Sequence, residues 1–331
     1  MISFDGSYTI LSSLIATLGF SWIFYPAWLA AGAHCLEWKE RYLSKERAPV
    51  AVLLSLVVPA YNEEERIEVM LQDAHDYLKS QKGKVLIEKL QECAKLAGYT
   101  QAKDLEFLIV NDGSEDGTEK VVQSTFVATK SRHSWKIVSL KVNSGKGAAV
   151  QTGMLLAKGI FRLMVDADGA TDFGPGLEQL VNHCLAWMEL PNDNNKMICI
   201  FGSRALLERE SVTERSFVRT IMMYGFHFFV SLLVSSHIRD TQCGFKLFTK
   251  DSALATFGSL HLRRWAFDTE VCLLCDYKTI KMLEVPVPWH EVDGSKLNTS
   301  KLALALAAIS MLRDMVCVRA CYSCKIWKVS K

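Results

Sequence analysis

Five short apolar runs alternate with stretches of helical length and spacing, and that alternation limits the fold more than any other feature of this chain. The runs lie at Val52 to Pro59, Leu105 to Asn111, Lys136 to Val142, Phe161 to Val165 and Met197 to Gly202. Helical patterns fall between them at Glu63 to Lys79, Thr118 to Thr129, Gly147 to Ala157 and Gly176 to Met188. Such a chain is expected to be α/β, with a mostly parallel central sheet, helices on both faces, and ligands collecting at the carboxyl ends of the strands. Lys82 to Asp104 reads as an inserted helix and loop, and Pro191 to Lys196 as a polar surface connection.

The N-terminal stretch is different in kind. From Tyr8 to Ala33 there is no formally charged residue, and the chain then turns to Lys39, Arg41, Lys45 and Arg47. About 26 uncharged residues suffice to cross a bilayer with some tilt. The basic residues all follow the span, which predicts a single-pass anchor with the C-terminal bulk in the cytosol. A signal peptide is the rival, but it would want a basic start, and Met1 to Ser7 offers only Asp5. Trp22, Tyr25 and Trp28 suit an interface, although Trp22 would sit deep in a straight span and so is expected to face another helix.

With a net charge of +2 in 331 residues, there is no electrostatic case for nucleic acid. Ten cysteines without framework spacing are expected to be reduced thiols in the cytosol. Cys272 and Cys275 read as helix core. Cys321 and Cys324 form a C-x-x-C without a second pair, so zinc is not indicated, and acylation of Cys317, Cys321 and Cys324 beside a membrane is a weak alternative. A second uncharged stretch, Thr220 to Ser236, suits a helix in the headgroup zone or a buried core helix. The tail from Ser300 suits a basic amphipathic helix on a membrane face or a helix closing the domain.

The strand ends carry the chemistry. The first ends in Pro59, Ala60, Tyr61 and Asn62 ahead of Glu63, Glu64 and Glu65, leaving an aromatic face and carboxylates at the sheet edge, or simply a turn and a helix start. The second ends in Asp112 and Gly113, where a carboxylate can accept from a base or ribose while the glycine lets the backbone approach a flat ligand; Asp116 caps the next helix. Lys146, between Gly145 and Gly147 at a helix start, suits a diphosphate, although neither a P-loop nor a dinucleotide spacing is present. Asp166 and Asp168 end a fourth apolar run, where two like charges call for a cation such as Mg2+ or Mn2+ bridging a diphosphate.

Taken in order, PAYNEE, NDGSEDGT, NSGKGAAVQTG and DADGA resemble the inverting glycosyltransferase family 2 over about Leu54 to Val292. The resemblance implies a Rossmann-like GT-A fold that binds a nucleotide sugar with a D-x-D metal motif. Farther on, GSRALLERES, RSFVRTIMMYGFHFFVS, IRDTQCGFKLF, RWAFDTE and VDGSKL resemble the branch that charges dolichyl phosphate with glucose from UDP-glucose at the endoplasmic reticulum membrane. Mannose-transferring relatives share the first half more than the second. Carried over, Pro59, Tyr61, Glu63 and Asp112 would hold the uridine, Lys146 the diphosphate, and Asp166 and Asp168 the ribose and metal. Asn111 and Ala170 depart from the family pattern: the first leaves Asp112 as the uracil contact, and the second throws metal binding onto Asp168, diphosphate and water.

The implied acceptor is a phosphate monoester, already close to doubly charged near neutral pH, so it needs cations more than a base. Arg204, Arg215 and Arg219 offer guanidinium forks for it. Asp268 is the best catalytic carboxylate, with Arg264, Trp265 and Gln242 lining a sugar pocket; Asp240, Asp268 and Glu270 could each instead be satisfied core groups. The implied layout is a lumenal start at 1–7, a span at 8–34, a basic linker at 35–50, a catalytic domain at 51–299 and a membrane-facing segment at 300–331, with room for a homo-oligomer. A non-catalytic nucleotide-binding scaffold remains the alternative of a different class.

Overall fold

The computed structural model describes residues 19, 21–25, 52–191, 196–204, 238–292 and 301–328. The anchor stretch falls outside these residues apart from 19 and 21–25, and Arg215, Arg219 and the stretch 220–236 lie wholly outside them. Among the described residues, no helix is long and apolar enough to cross a membrane.

Among the described residues, seven strands form one mixed sheet in the order β3-β2-β1-β4-β6-β5-β7. Strand β1 (Val52–Ala60) is interior, parallel both to β2 (Asp104–Asn111) and to β4 (Phe161–Met164). Strand β3 (Ser134–Ser139) adds in parallel outside β2, and β5 (Ile198–Ser203) pairs in parallel with β7 (Lys281–Pro286). The short β6 (Lys246–Thr249) is antiparallel to β4 and β5, so the sheet is mostly but not wholly parallel. Buried on both faces, β1 and β2 have no room for alternating polarity, which is why they read as continuous apolar runs.

Two cores flank the sheet. One joins α1 (Ile67–Lys79), α2 (Gln81–Leu96), α3 (Thr118–Thr129) and α5 (Phe173–Met188) to residues such as Leu54, Leu56 and Val58. The other face, carrying Val57 and Leu108, packs α4 (Lys146–Leu156), α6 (Lys250–Gly258), α7 (Phe267–Tyr277) and α8 (Lys301–Ser323). Cys272 and Cys275 are core residues, as expected. Met315, Cys317, Val318, Cys321 and Tyr322 are buried as well, so the second half of α8 closes the domain, and only Cys324 of its cysteines is exposed. The Arg313 guanidinium of α8 lies 5.5 Å from the Trp22 ring and 5.8 Å from that of Tyr25.

Three expected boundaries shift by three residues or more, one of them the start of α5, at Phe173 rather than Gly176. Glu63 to Arg66 form a turn in which the Glu63 carbonyl accepts from the amides of Arg66 and Ile67, so α1 starts at Ile67 rather than Glu63. Strand β3 ends at Ser139, three residues before the apolar pattern does.

Beneath β2 and β3, His75 is buried among Phe107, His133 and Trp135, and neither of its ring nitrogens has a well-formed hydrogen bond. Burial, reinforced by Lys79, lowers its pKa, with the Thr129 backbone pulling weakly the other way; burial lowers that of His133 too. Groups kept neutral by the fold contribute stability above the unfolded histidine pKa of about 6.5, and lose it as pH falls through that value. Stability should therefore decline between pH 7 and pH 5. Urea unfolding of His75→Leu should show a shallower decline over that interval, and an unaltered slope would count against this source.

Candidate active site

Pro59, Ala60, Tyr61, Glu63, Asp112, Lys146, Asp166, Asp168, Arg204, Gln242, Trp265 and Asp268 line a single cleft of about 620 Å³ at the carboxyl ends of the strands. The first two strand-end loops brace each other. Asn62, at φ 54°, receives the Glu115 amide on Oδ1, while its own amide donates to Ser114 Oγ. Glu64 Oε2 accepts from the Gly117 amide, and Asp116 Oδ2 from the Glu64 amide. These acidic residues join two loops; Asp116, expected as a cap, accepts from the Thr118 amide while Gly117 holds the cap position, and Asn111 holds its own turn by accepting from the Ser114 amide.

Asp112 is buried, and its two oxygens accept from the amides of Ser144 and Gly145 at 2.8 Å each. Burial raises its carboxyl pKa against those two hydrogen bonds. Gly113 is not a cleft-lining residue. At φ +70° a Cβ there would lie 2.7 Å from the Val142 carbonyl carbon, so its glycine serves the approach of chain 142–143 rather than of a flat ligand.

The glycine-lysine-glycine loop is set by its neighbours. A Cβ on Gly145 would meet the Arg263 carbonyl oxygen at 2.5 Å, and one on Gly147 the Leu262 carbonyl oxygen at 2.7 Å. The loop thus lies flat on residues 262–264 and sends Lys146 across the cleft, with its ammonium 5.6 Å from the Trp265 ring. That ammonium hydrogen-bonds Asp166 Oδ2 at 2.8 Å and lies 2.7 Å from Oδ1. Oδ1 is buried and, though in ion-pair contact with the ammonium, accepts no hydrogen bond among the described residues. Burial pushes the Lys146 pKa down, but Asp166 and Asp268 reverse the shift and hold it raised.

Asp166 and Asp168 are therefore not an equivalent pair. Asp168 takes the Ala170 amide on Oδ1 at 3.0 Å and has no ion pair among the described residues. No group of three or more His, Cys, Asp or Glu is gathered as a metal cage among those residues. The donors present suit a shared site: Asp168 and the unsatisfied Asp166 Oδ1 could hold Mg2+ or Mn2+ if phosphate oxygens and water completed the shell.

Arg204 differs from its expectation as a waiting fork. Its Nε and NH2 donate to both oxygens of Asp240 at 2.8 and 2.9 Å, and it lies 5.6 Å from the Trp289 ring. Burial lowers the Arg204 pKa, but Asp240 more than compensates, and Arg204 in turn holds the Asp240 carboxyl below its usual range despite burial. Asp240 is thus a satisfied partner rather than an active carboxylate.

Two features escaped sequence reasoning. Lys246 is almost wholly buried and donates to Asp268 Oδ1 and to the Cys243 carbonyl, each at 2.5 Å. Burial raises the Asp268 pKa against the pull of Lys246 and Lys146, and Asp268 holds the Lys246 ammonium raised. Gly244 leaves room for the Asp166 carboxylate, whose Oδ2 would lie 1.9 Å from a Cβ at that position. Arg264, expected in the sugar pocket, lines the cleft with no ion pair among the described residues. Gln242 Nε2, at the cleft wall, is buried without a hydrogen-bond partner among the described residues, so a donor is available there for a ligand oxygen.

The Glycosyl transferase family 2 model matches residues 55–188. The chain is 39% identical over 281 residues to the dolichyl-phosphate beta-glucosyltransferase of Dictyostelium discoideum, covering 84% of this chain and 77% of that one. The human protein of the same name is 39% identical, with 84% and 78% covered. That of Saccharomyces cerevisiae is 35% identical over 297 residues, with 87% and 80% covered. The UDP complex of glucosyl-3-phosphoglycerate synthase from Mycobacterium tuberculosis, 16% identical, covers 81% of this chain and 80% of its own at TM-score 0.44, too loose a match to transfer residue roles.

Proposed function

This chain belongs to the dolichyl-phosphate beta-glucosyltransferases of glycosyl transferase family 2, and from that premise we propose how its cleft transfers glucose from UDP-glucose to dolichyl phosphate. One observation carries the reading: Lys146, Asp166, Asp168 and Asp268, from three separate segments, converge with Arg264 in one cleft at the strand ends. Tyr61 and Asp112 take the uridine side. The diphosphate lies between Lys146 and Arg264, competing with Asp166 for the ammonium. Gln242 and Trp265 face the sugar.

The acceptor phosphate attacks C1 of glucose from the face opposite the leaving group. The phosphate O–C1 bond forms as the C1–O bond to the diphosphate breaks, and UDP departs with the electron pair, giving the β-linked lipid. An acceptor already close to doubly charged needs little help from a base. Asp268, held by Lys246, is placed to orient the attacking group. A divalent ion at Asp168, when bound, supplies charge stabilisation at the leaving diphosphate. Arg204 reaches the lipid phosphate by exchanging Asp240 for it, with Arg215 and Arg219 as further forks. The protein is proposed to sit in the endoplasmic reticulum membrane through residues 8–34, with its catalytic domain in the cytosol; the four basic residues after that stretch support this orientation.

The test is transfer of labelled glucose from UDP-glucose to dolichyl phosphate by the purified full chain in detergent, with and without EDTA. Lipid-linked glucose that disappears with EDTA and returns with Mg2+ or Mn2+ is the expected result. Activity with GDP-mannose in place of UDP-glucose would overturn the sugar. In the same assay, Gly244→Ala should cost about tenfold in kcat/KM, because the new methyl displaces the Asp166 carboxylate from Lys146; unchanged transfer would refute the claim that this close approach matters.

A further inference from the structure

Glu270 stands two residues after Asp268 on α7, is fully buried, and does not line the cleft. Its carboxylate instead gathers donors. Oε1 accepts from the His261 amide at 2.9 Å and from the Tyr322 hydroxyl at 2.7 Å, and His261 Nδ1 lies 3.1 Å away. Oε2 accepts from the Leu262 amide at 2.6 Å and from the His261 amide at 3.1 Å. A buried carboxylate is costly unless hydrogen-bonded, and this one is satisfied by two consecutive amides of a loop and by one phenol from α8.

That loop continues through Arg263, Arg264 and Trp265. Its carbonyls form the bed on which the Lys146 loop lies: the Ala148 amide donates to the Arg263 oxygen at 3.0 Å, and the absent side chains of Gly145 and Gly147 make room for the Arg263 and Leu262 oxygens. Contact is therefore continuous from Glu270 to the cleft. On its other side the loop is fastened to the end of α8, where the His261 ring stacks on Trp327 at 4.2 Å and 4°.

We propose that Glu270 is a positioning residue which, locked by Tyr322, holds the 261–266 loop so that Arg264, Trp265 and Lys146 meet the diphosphate of the donor. The proposal rests on reading the cleft as the UDP-glucose site. Nothing in it requires Glu270 to touch substrate. A shift of about 1 Å in groups that orient a substrate is enough to cost up to about a hundredfold.

Glu270→Gln puts an N–H2 where an acceptor oxygen now faces N–H or O–H donors. In the full chain in detergent, KM for UDP-glucose and Kd for UDP should rise together by about tenfold to a hundredfold, while kcat and the KM for dolichyl phosphate change far less. Amide hydrogen exchange should quicken at 261–266 and remain slow in β1 and β2. Tyr322→Phe, which keeps the ring packing and both amide bonds, should shift the same quantities by less; it also carries the test if Glu270→Gln does not fold. Unchanged donor KM and UDP affinity, with exchange quickened throughout the chain, would mean that Glu270 merely stabilises the fold and would overturn the proposal. Failure of the unaltered protein to bind UDP would instead strike the substrate reading, while confinement of the faster exchange to 261–266 would still support the loop anchor.

Discussion

Asp168→Ala should lower glucose transfer from UDP-glucose by about a hundredfold to a thousandfold while leaving the fold intact. The size is that of removing one preorganised charge-stabilising group from a transition state. Asp168 is partly exposed and gives up one hydrogen bond from the Ala170 amide, worth about 1 kcal/mol, so thermal unfolding should move little. The catalytic loss is larger because Asp166, whose charge Lys146 already matches, would be left to hold the ion without Asp168. Calorimetric binding of Mn2+ in the presence of UDP gives a readout independent of turnover, and it should weaken in the variant. Near-normal transfer together with normal Mn2+ binding would remove Asp168 from the metal assignment.

Lys246→Met should be the most destabilising single change in the site. It strands the Asp268 carboxylate in a nearly water-free position, where the pair now shows only 1% and 4% side-chain exposure. Removing one partner of a buried pair costs about 3–5 kcal/mol, which for a domain of this size corresponds to a fall in Tm of roughly 6–15 °C. Replacing both charges by apolar residues of similar volume is often close to neutral, so Lys246→Met with Asp268→Leu should recover most of the stability. It should not recover transfer, because Asp268 lines the cleft. Calorimetry on the single and double variants decides the matter; a single variant as stable as the original protein would show that the pair is not held as described.

The residues legible in the sequence were those whose meaning is local. Asp112, Lys146, Asp166 and Asp168 each stand at the end of a continuous apolar run or the start of a helix, and a parallel sheet delivers such ends to one edge whatever the rest of the chain does. Strand β6 was not legible: four residues are too few for a period, and Lys246 interrupts them with a charge whose partner lies 22 positions away. The same holds for Arg204 with Asp240 and for Glu270 with Tyr322. In each case the residue type was noticed or quoted, but its partner is supplied by topology, and no spacing rule connects them. The Glu63 to Lys79 pattern overran its helix because acidic residues favoured at a helix start were needed in the turn before it.

The closing of the second core by α8 has a bearing on how the chain is made. Among the described residues the first core draws on nothing after Val287, whereas the second needs Met315 through Trp327. During synthesis at roughly 5–20 residues per second, about 40 residues must follow Val287 before that second layer can seal, a delay of roughly 2 to 8 s. For that interval the apolar side of α4, α6 and α7 has no cover of its own, so the ribosome-bound chain passes through a stage at which one face of its sheet is finished and the other depends on whatever shelters it.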